Sequence, residues 1–80
     1  MEFVIYWIKS ENKEKTYIGF SDNIDARVKM HRQHKVRSTK NFGNFSYSII
    51  EKVPSLKYAR IQEKYWKSSA GRKKLKEMFL

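Results

Sequence analysis

Five side chains in this 80-residue sequence could do chemistry together: the phenols of Tyr6 and Tyr17, the guanidinium of Arg27, the imidazole of His31 and the carboxylate of Glu63. A fixed guanidinium grips a phosphodiester and offsets the charge that builds as phosphorus is attacked. Imidazole is the usual proton carrier near neutral pH. A carboxylate suits a hard divalent cation, and a phenol near such a cation and an arginine gives up its proton more readily. Taken singly, each has a plainer role. Strand tyrosines are commonly core, a helix arginine is commonly solvated or paired with a carboxylate, and a half-buried histidine needs only a satisfied ring. Glu63 is the most telling. Leu56, Ala59, Glu63, Trp66 and Ala70 recur at spacings of three and four, so a carboxylate stands where the pattern asks for an apolar side chain. That placement is expensive unless a cation or a donor meets it, and a structural salt bridge is the plain way to meet it. Lys57, Arg60, Lys64 and Lys67 gather on another arc of the same helix.

The elements that must position these groups are legible in outline. Residues 3–8 and 16–20 read as strands, joined by the polar segment 9–15. With the turn centred between Glu11 and Asn12, Tyr6 stands opposite Tyr17 and both rings share one face. Ser21-Asp22-Asn23 reads as a helix start, and the spacing predicts a helix from Ile24 to about His34. Ile24, Val28 and His31 fall on one side of it, with Arg27 beside them one turn before His31. Residues 35–44 form a basic loop closed by the breaker run Asn41-Phe42-Gly43-Asn44. Residues 45–53 read as a third strand with Phe45, Tyr47 and Ile49 on one face. Pro54-Ser55 then starts the longest helix, from Leu56 to about Ser69. Ala70-Gly71 interrupts it, and residues 72–80 make a short closing helix with Leu75, Met78 and Phe79 inward. The expected architecture is therefore α/β: a small three-stranded antiparallel or mixed sheet flanked by three helices, in the order β-β-α-β-α-α. Residues 1–80 read as one domain, without repeat or linker.

Charge is the second constraint. Eighteen Lys and Arg against eight Asp and Glu give a net +10. So basic a domain is drawn to polyanions, because each neutralised phosphate releases condensed counterion, and nucleic acid is the expected partner. The absence of cysteine excludes a disulfide framework and a thiolate zinc site, and two histidines cannot complete a structural zinc shell. A reducing, cytoplasmic location fits. The first residues are apolar, but they begin with an acid, lack a basic leader and reach Lys9 too early for a membrane span.

A hairpin carrying Val4-Ile5-Tyr6 and Tyr17-Ile18-Gly19, a helix presenting Arg27 and His31, and a distant helical Glu63 together resemble the GIY-YIG nuclease family. Val4 replaces the glycine of the first signature, and the second is intact. The stretch from Gly19 to Arg27 is the most specific part of the likeness, which spans residue 3 to about residue 75. It implies a metal-dependent endonuclease that hydrolyses DNA phosphodiester bonds. In that reading Glu63 holds the single divalent metal, Mg2+ or alternatively Mn2+, and Arg27 grips the scissile phosphate. Tyr17 is the general base, Tyr6 supports it, and His31 is an auxiliary proton relay or phosphate contact. Gly19 is structural, allowing a close approach that a Cβ would obstruct. Lys35, Arg37 and Lys40, in a loop that also carries Ser38 and Thr39, and Arg72 and Lys73 after Gly71, offer phosphate contacts without base-reading geometry. No small-molecule cofactor is expected. Branched or flapped DNA, met in repair or recombination, is the expected substrate, with a targeting protein supplying any further selectivity. The asparagine that many family enzymes carry after the metal glutamate has no counterpart beyond Glu63. The rival expectation is a non-catalytic, basic nucleic-acid-binding module on the same scaffold, and an RNA-binding role is a third reading that leaves Glu63 unexplained.

Overall fold

Alternating and continuous apolar runs build the sheet. In the computed structural model, which describes residues 2–11 and 15–79 with the side chains of Ser38 and Phe79 excepted, β1 (Phe3–Ser10) pairs antiparallel with β2 (Thr16–Ser21) on one side and β3 (Phe45–Val53) on the other. The order is β2-β1-β3, and every pairing is antiparallel. The central strand is buried on both faces: Ile5, Tyr6, Trp7 and Ile8 are all inside. That is why the period-two pattern fades there into an unbroken apolar run.

Helix α1 (Ile24–Arg32) covers the Tyr6 face, where Tyr6, Ile8, Val28, Phe42 and Phe45 form one core. Helices α2 (Leu56–Lys67) and α3 (Ser69–Phe79) cover the other face, where Ile5, Trp7, Ile18, Val53, Ala59, Trp66 and Leu75 form a second. Caps place both main helices. Asn23 accepts from the Ala26 amide at 3.2 Å, and Ser55 accepts from the Tyr58 amide at 3.4 Å.

The hairpin register differs from expectation. Tyr6 stands opposite Gly19, and Tyr17 stands opposite Ile8. The slip is two residues along β2, so the parity is preserved and both tyrosines still share a face as diagonal neighbours. The turn residue Asn12 lies outside the described residues.

On β3 the expected face of Phe45, Tyr47 and Ile49 forms, but only Phe45 is buried; Tyr47 and Ile49 are exposed. A bulge then puts both Ile50 and Glu51 against Ile5, which turns the Glu51 carboxylate toward α2. There it accepts from Trp66 Nε1 at 2.7 Å and from Gln62 Nε2 at 2.9 and 3.0 Å, tying the helix to the sheet.

Three helical expectations are corrected. In the stripe of α2 only Ala59 and Trp66 are buried, while Leu56 and Ala70 are exposed and Glu63 lies on the flank. The helix breaks at Ser68 rather than at Ala70-Gly71: Ser68 is extended, and its hydroxyl accepts from the Gly71 amide at 3.3 Å, capping α3. Gly71 is buried inside α3, where a Cβ would collide with the backbone of Tyr65 and Trp66. Leu75 points inward, but Met78 is exposed and the Phe79 side chain lies outside the described residues.

Candidate active site

The site forms where the hairpin meets α1. Opposite Tyr6, the missing side chain of Gly19 leaves the space that the Tyr6 ring fills; a Cβ there would stand 2.8 Å from Tyr6 Oη and 2.9 Å from Tyr17 Cε1. The strand spacing thus brings the two phenols together, with ring centroids 6.2 Å apart. His31 closes the group from α1, its ring 5.7 Å from that of Tyr6 and 5.2 Å from that of Tyr17. Phe45 of β3 packs edge-on against the imidazole at 6.4 Å.

Tyr6 and His31 are fully enclosed, whereas Tyr17 is half-buried. The Tyr6 hydroxyl meets His31 Nε2 at 2.8 Å. Burial pushes the Tyr6 phenol up to about 12, with the hydrogen bond and charge of Arg27 opposing part of the rise. Burial, and then the charge of Arg27, lower the imidazole to about 4, so His31 is neutral near pH 7. With no exposed surface, His31 cannot meet a phosphate directly. Only the proton-relay half of its expected role is compatible with this geometry.

Arg27 is half-buried, one turn before His31 on the same helix. Its guanidinium interacts with the phenol of Tyr6 and, more weakly, with that of Tyr17, which holds its proton more firmly still. One of its nitrogens lies 3.9 Å from the Met30 sulfur. An open groove of about 350 Å³ runs beside it, lined by Phe3, Phe20, Asn23 and Met30 among others.

Glu63 comes from α2, which covers the opposite face of the sheet, and its carboxylate meets Lys67. Its Oε1 lies 3.6 Å from the ammonium of Lys67, and that ammonium stands 5.9 Å from the centre of the Tyr17 ring. Lys67 therefore links the carboxylate to the phenol. The fit to a metal follows from this donor set. No group of three or more His, Cys, Asp or Glu that could form a protein cage occurs among the described residues. A quarter-exposed carboxylate does suit a hard ion held by one protein oxygen, with water and phosphate as the remaining ligands, once the ion displaces Lys67. The residues present fit that mode.

The basic residues lie apart from this group. Lys35, Arg37 and Lys40 are exposed on the loop after α1, and Arg72 and Lys73 are exposed on α3. The loop itself is folded rather than merely solvated. A 3₁₀ turn at Arg37–Thr39 buries Val36, Thr39 and Phe42, and Thr39 faces His31 instead of a phosphate. Two participants escaped the sequence reading. Lys67 could have been found as the i+4 partner of Glu63; Thr39 left no local signal.

The family model of the GIY-YIG catalytic domain matches residues 2–76. No curated protein and no solved structure matches the chain.

Proposed function

Because the chain belongs to the GIY-YIG family, whose domain is a nuclease catalytic domain, we propose that it is a metal-dependent endonuclease hydrolysing phosphodiester bonds in DNA. One observation carries the reading: Tyr6, Tyr17, His31 and Arg27 form a contiguous cluster in which only Tyr17 and Arg27 retain exposed surface, and the Lys67 ammonium beside the Tyr17 ring also meets the Glu63 carboxylate.

Arg27 binds the scissile phosphate and stabilises the charge that develops on its oxygens. Tyr17 orients the attacking water and, in its phenolate form, accepts the water's proton as the new P–O bond forms and the ester oxygen departs. Tyr6 stays neutral, hydrogen-bonded to His31, and holds the guanidinium and the second phenol in place. Glu63 would hold the divalent cation, Mg2+ or alternatively Mn2+, which when bound supplies charge stabilisation at the leaving oxygen. Lys35, Arg37, Lys40, Arg72 and Lys73 contact backbone phosphates, which supplies affinity without sequence choice. Such an enzyme selects irregular DNA over a particular sequence, acts in repair or recombination in the cytoplasm, and gains further selectivity from a targeting protein. Among the described residues no helix is long and apolar enough to cross a membrane.

A binding-only reading is favoured by one feature, the Lys67 ammonium that already neutralises Glu63. Supercoiled plasmid and branched oligonucleotides, incubated with Mg2+, with Mn2+ and with chelator, separate the two. Nicking that needs metal and is strongest on branched substrates is the result expected of the enzyme. Salt-sensitive binding with no nicking in either metal would leave only the binding module.

A further inference from the structure

Behind the cluster, on the side away from Tyr17, the imidazole of His31 makes a second buried contact. Its Nδ1 lies 2.6 Å from the hydroxyl of Thr39, which is 1% exposed. That hydroxyl in turn lies 3.4 Å from the carbonyl of Val36, to which the Thr39 amide also donates at 3.1 Å. The chain reaches this arrangement through the end of α1. His34 adopts a positive φ of 59°, the Lys35 amide bonds back to the Met30 carbonyl, and the His34 amide bonds to that of His31. This left-handed cap reverses the backbone so that the next turn delivers Thr39 beneath the ring.

We propose that Thr39 is a positioning residue that fixes His31 as the Nδ1–H tautomer, leaving Nε2 to accept the hydroxyl proton of Tyr6 and so aiming the Tyr6 lone pairs at Arg27. The inference rests on the nuclease reading for its consequence, not for its geometry. A neutral imidazole has one N–H. The Thr39 hydroxyl has the Val36 carbonyl within reach at 3.4 Å as an acceptor for its proton, and with the proton there the lone pair of its oxygen faces Nδ1, which then donates. Nε2 is then an acceptor, and Tyr6 must donate to it. The other side of Tyr6 is compatible with the same polarity. Arg27 offers only donors, so towards the guanidinium the phenol oxygen accepts, and its own proton is free for Nε2 at 2.8 Å. The reverse assignment, with Thr39 donating to Nδ1, would direct Nε2–H at the same phenol oxygen that Arg27 approaches, and would turn the Tyr6 proton away from the imidazole towards Tyr17. The groups facing the ring are Tyr6 from β1, Tyr17 from β2, Phe45 from β3, Thr39 from the loop turn and Arg27 from α1 itself. None is an acid that would hold an imidazolium.

The chain Val36, Thr39, His31, Tyr6, Arg27 thus has one direction of donation, set at its buried end. Removing the Thr39 hydroxyl frees the tautomer and loosens the guanidinium, although nothing that touches DNA has changed. The test uses histidine-labelled full chain and nitrogen NMR without DNA or metal, together with single-turnover cleavage of a branched substrate. Wild type is expected to show hydrogen on Nδ1 of His31. Thr39→Val, which keeps the shape, is expected to mix the tautomers and slow cleavage roughly 10- to 100-fold, as loss of an outer hydrogen bond to an active-site histidine does, with DNA affinity unchanged. Thr39→Ser is expected to restore both. Hydrogen on Nε2 in wild type overturns the proposal, and so does a Thr39→Ser protein as slow as Thr39→Val, which would make shape rather than the hydroxyl the cause. If wild type does not cleave DNA, the nuclease reading fails alone, because the NMR result still decides the tautomer. If Thr39→Val does not fold, wild type and Thr39→Ser still decide it.

Discussion

The Tyr6 hydroxyl lies 2.8 Å from Nε2 of His31, and neither side chain has exposed surface. This contact separates two tyrosines that look equivalent in the sequence. Tyr6 is sealed against a neutral imidazole and held protonated, whereas Tyr17 keeps part of its ring in solvent, where a water and a phosphate can reach it.

The two phenols should therefore respond differently to loss of their hydroxyls. Tyr17→Phe is expected to slow cleavage by at least about 10²-fold, the scale of losing a proton acceptor in the reaction. Tyr6→Phe should slow it less, by roughly tenfold, and destabilise the fold by about 1–2 kcal/mol, because Nε2 of His31 is left buried without a partner. Single-turnover rates and urea unfolding of the two variants check this.

Acid should unfold the protein partly through His31. Its pKa is lowered from the usual 6.5 to about 4, so the unfolded chain binds the proton more readily than the folded one. Above about pH 6.5 both states hold it neutral and the effect vanishes. Stability falls as pH drops through 6.5, and the loss is complete near pH 4, where it amounts to about 3 kcal/mol at 1.36 kcal/mol per unit. Urea unfolding between pH 7 and 4 should show this slope in wild type and lose it in His31→Gln. The carboxylates of the chain supply a common background to both.

The difference between Tyr6 and Tyr17 also marks where sequence reading stops. Which residues of a strand pair share a face was legible, because side-chain alternation is local: Tyr6 and Tyr17 share one, Phe45, Tyr47 and Ile49 align on β3, and the helices start at Asn23 and Ser55. The pairing partner was not. Parity survives a two-residue slip, so no face preference distinguishes Tyr17 from Gly19 opposite Tyr6. The inward turn of Thr39 was illegible because it depends on a left-handed residue at His34 that no glycine announces. The stripe of α2 misled because periodicity says which positions align and not how far the sheet extends beneath them. Leu56 lies beyond that cover, and Glu63 on its flank, where its carboxylate meets Lys67 rather than an apolar neighbour.

Gly19→Ala tests the close approach of strand and ring. A methyl group 2.8 Å from Tyr6 Oη and 2.9 Å from the Tyr17 ring must displace one of them. The expected result is a destabilisation of about 1–3 kcal/mol, as for overpacking, and a larger proportional loss of cleavage than of DNA affinity. Thermal unfolding and binding measured beside cleavage would show it, and unchanged cleavage would mean that the rings can shift without consequence.

Lys67 competes for the carboxylate that the cation needs. Replacing it with methionine should lower the Mg2+ concentration giving half-maximal cleavage about twofold, the scale of an exposed i,i+4 ion pair. A metal titration of the cleavage rate reads this directly. A rise in the metal requirement would show instead that Lys67 helps to build the site.

The nuclease reading is tested most directly by Glu63→Gln, measured for binding and for cleavage on the same branched DNA with Mg2+. The substitution keeps the shape of the side chain and removes only its charge, the property that attracts a cation. DNA affinity is expected to stay within about threefold of wild type, since the surface cations that meet phosphates are untouched, while cleavage falls at least about 10²-fold. A Glu63→Gln protein that cuts as fast as wild type would contradict the account, because the carboxylate would then have no part in the chemistry.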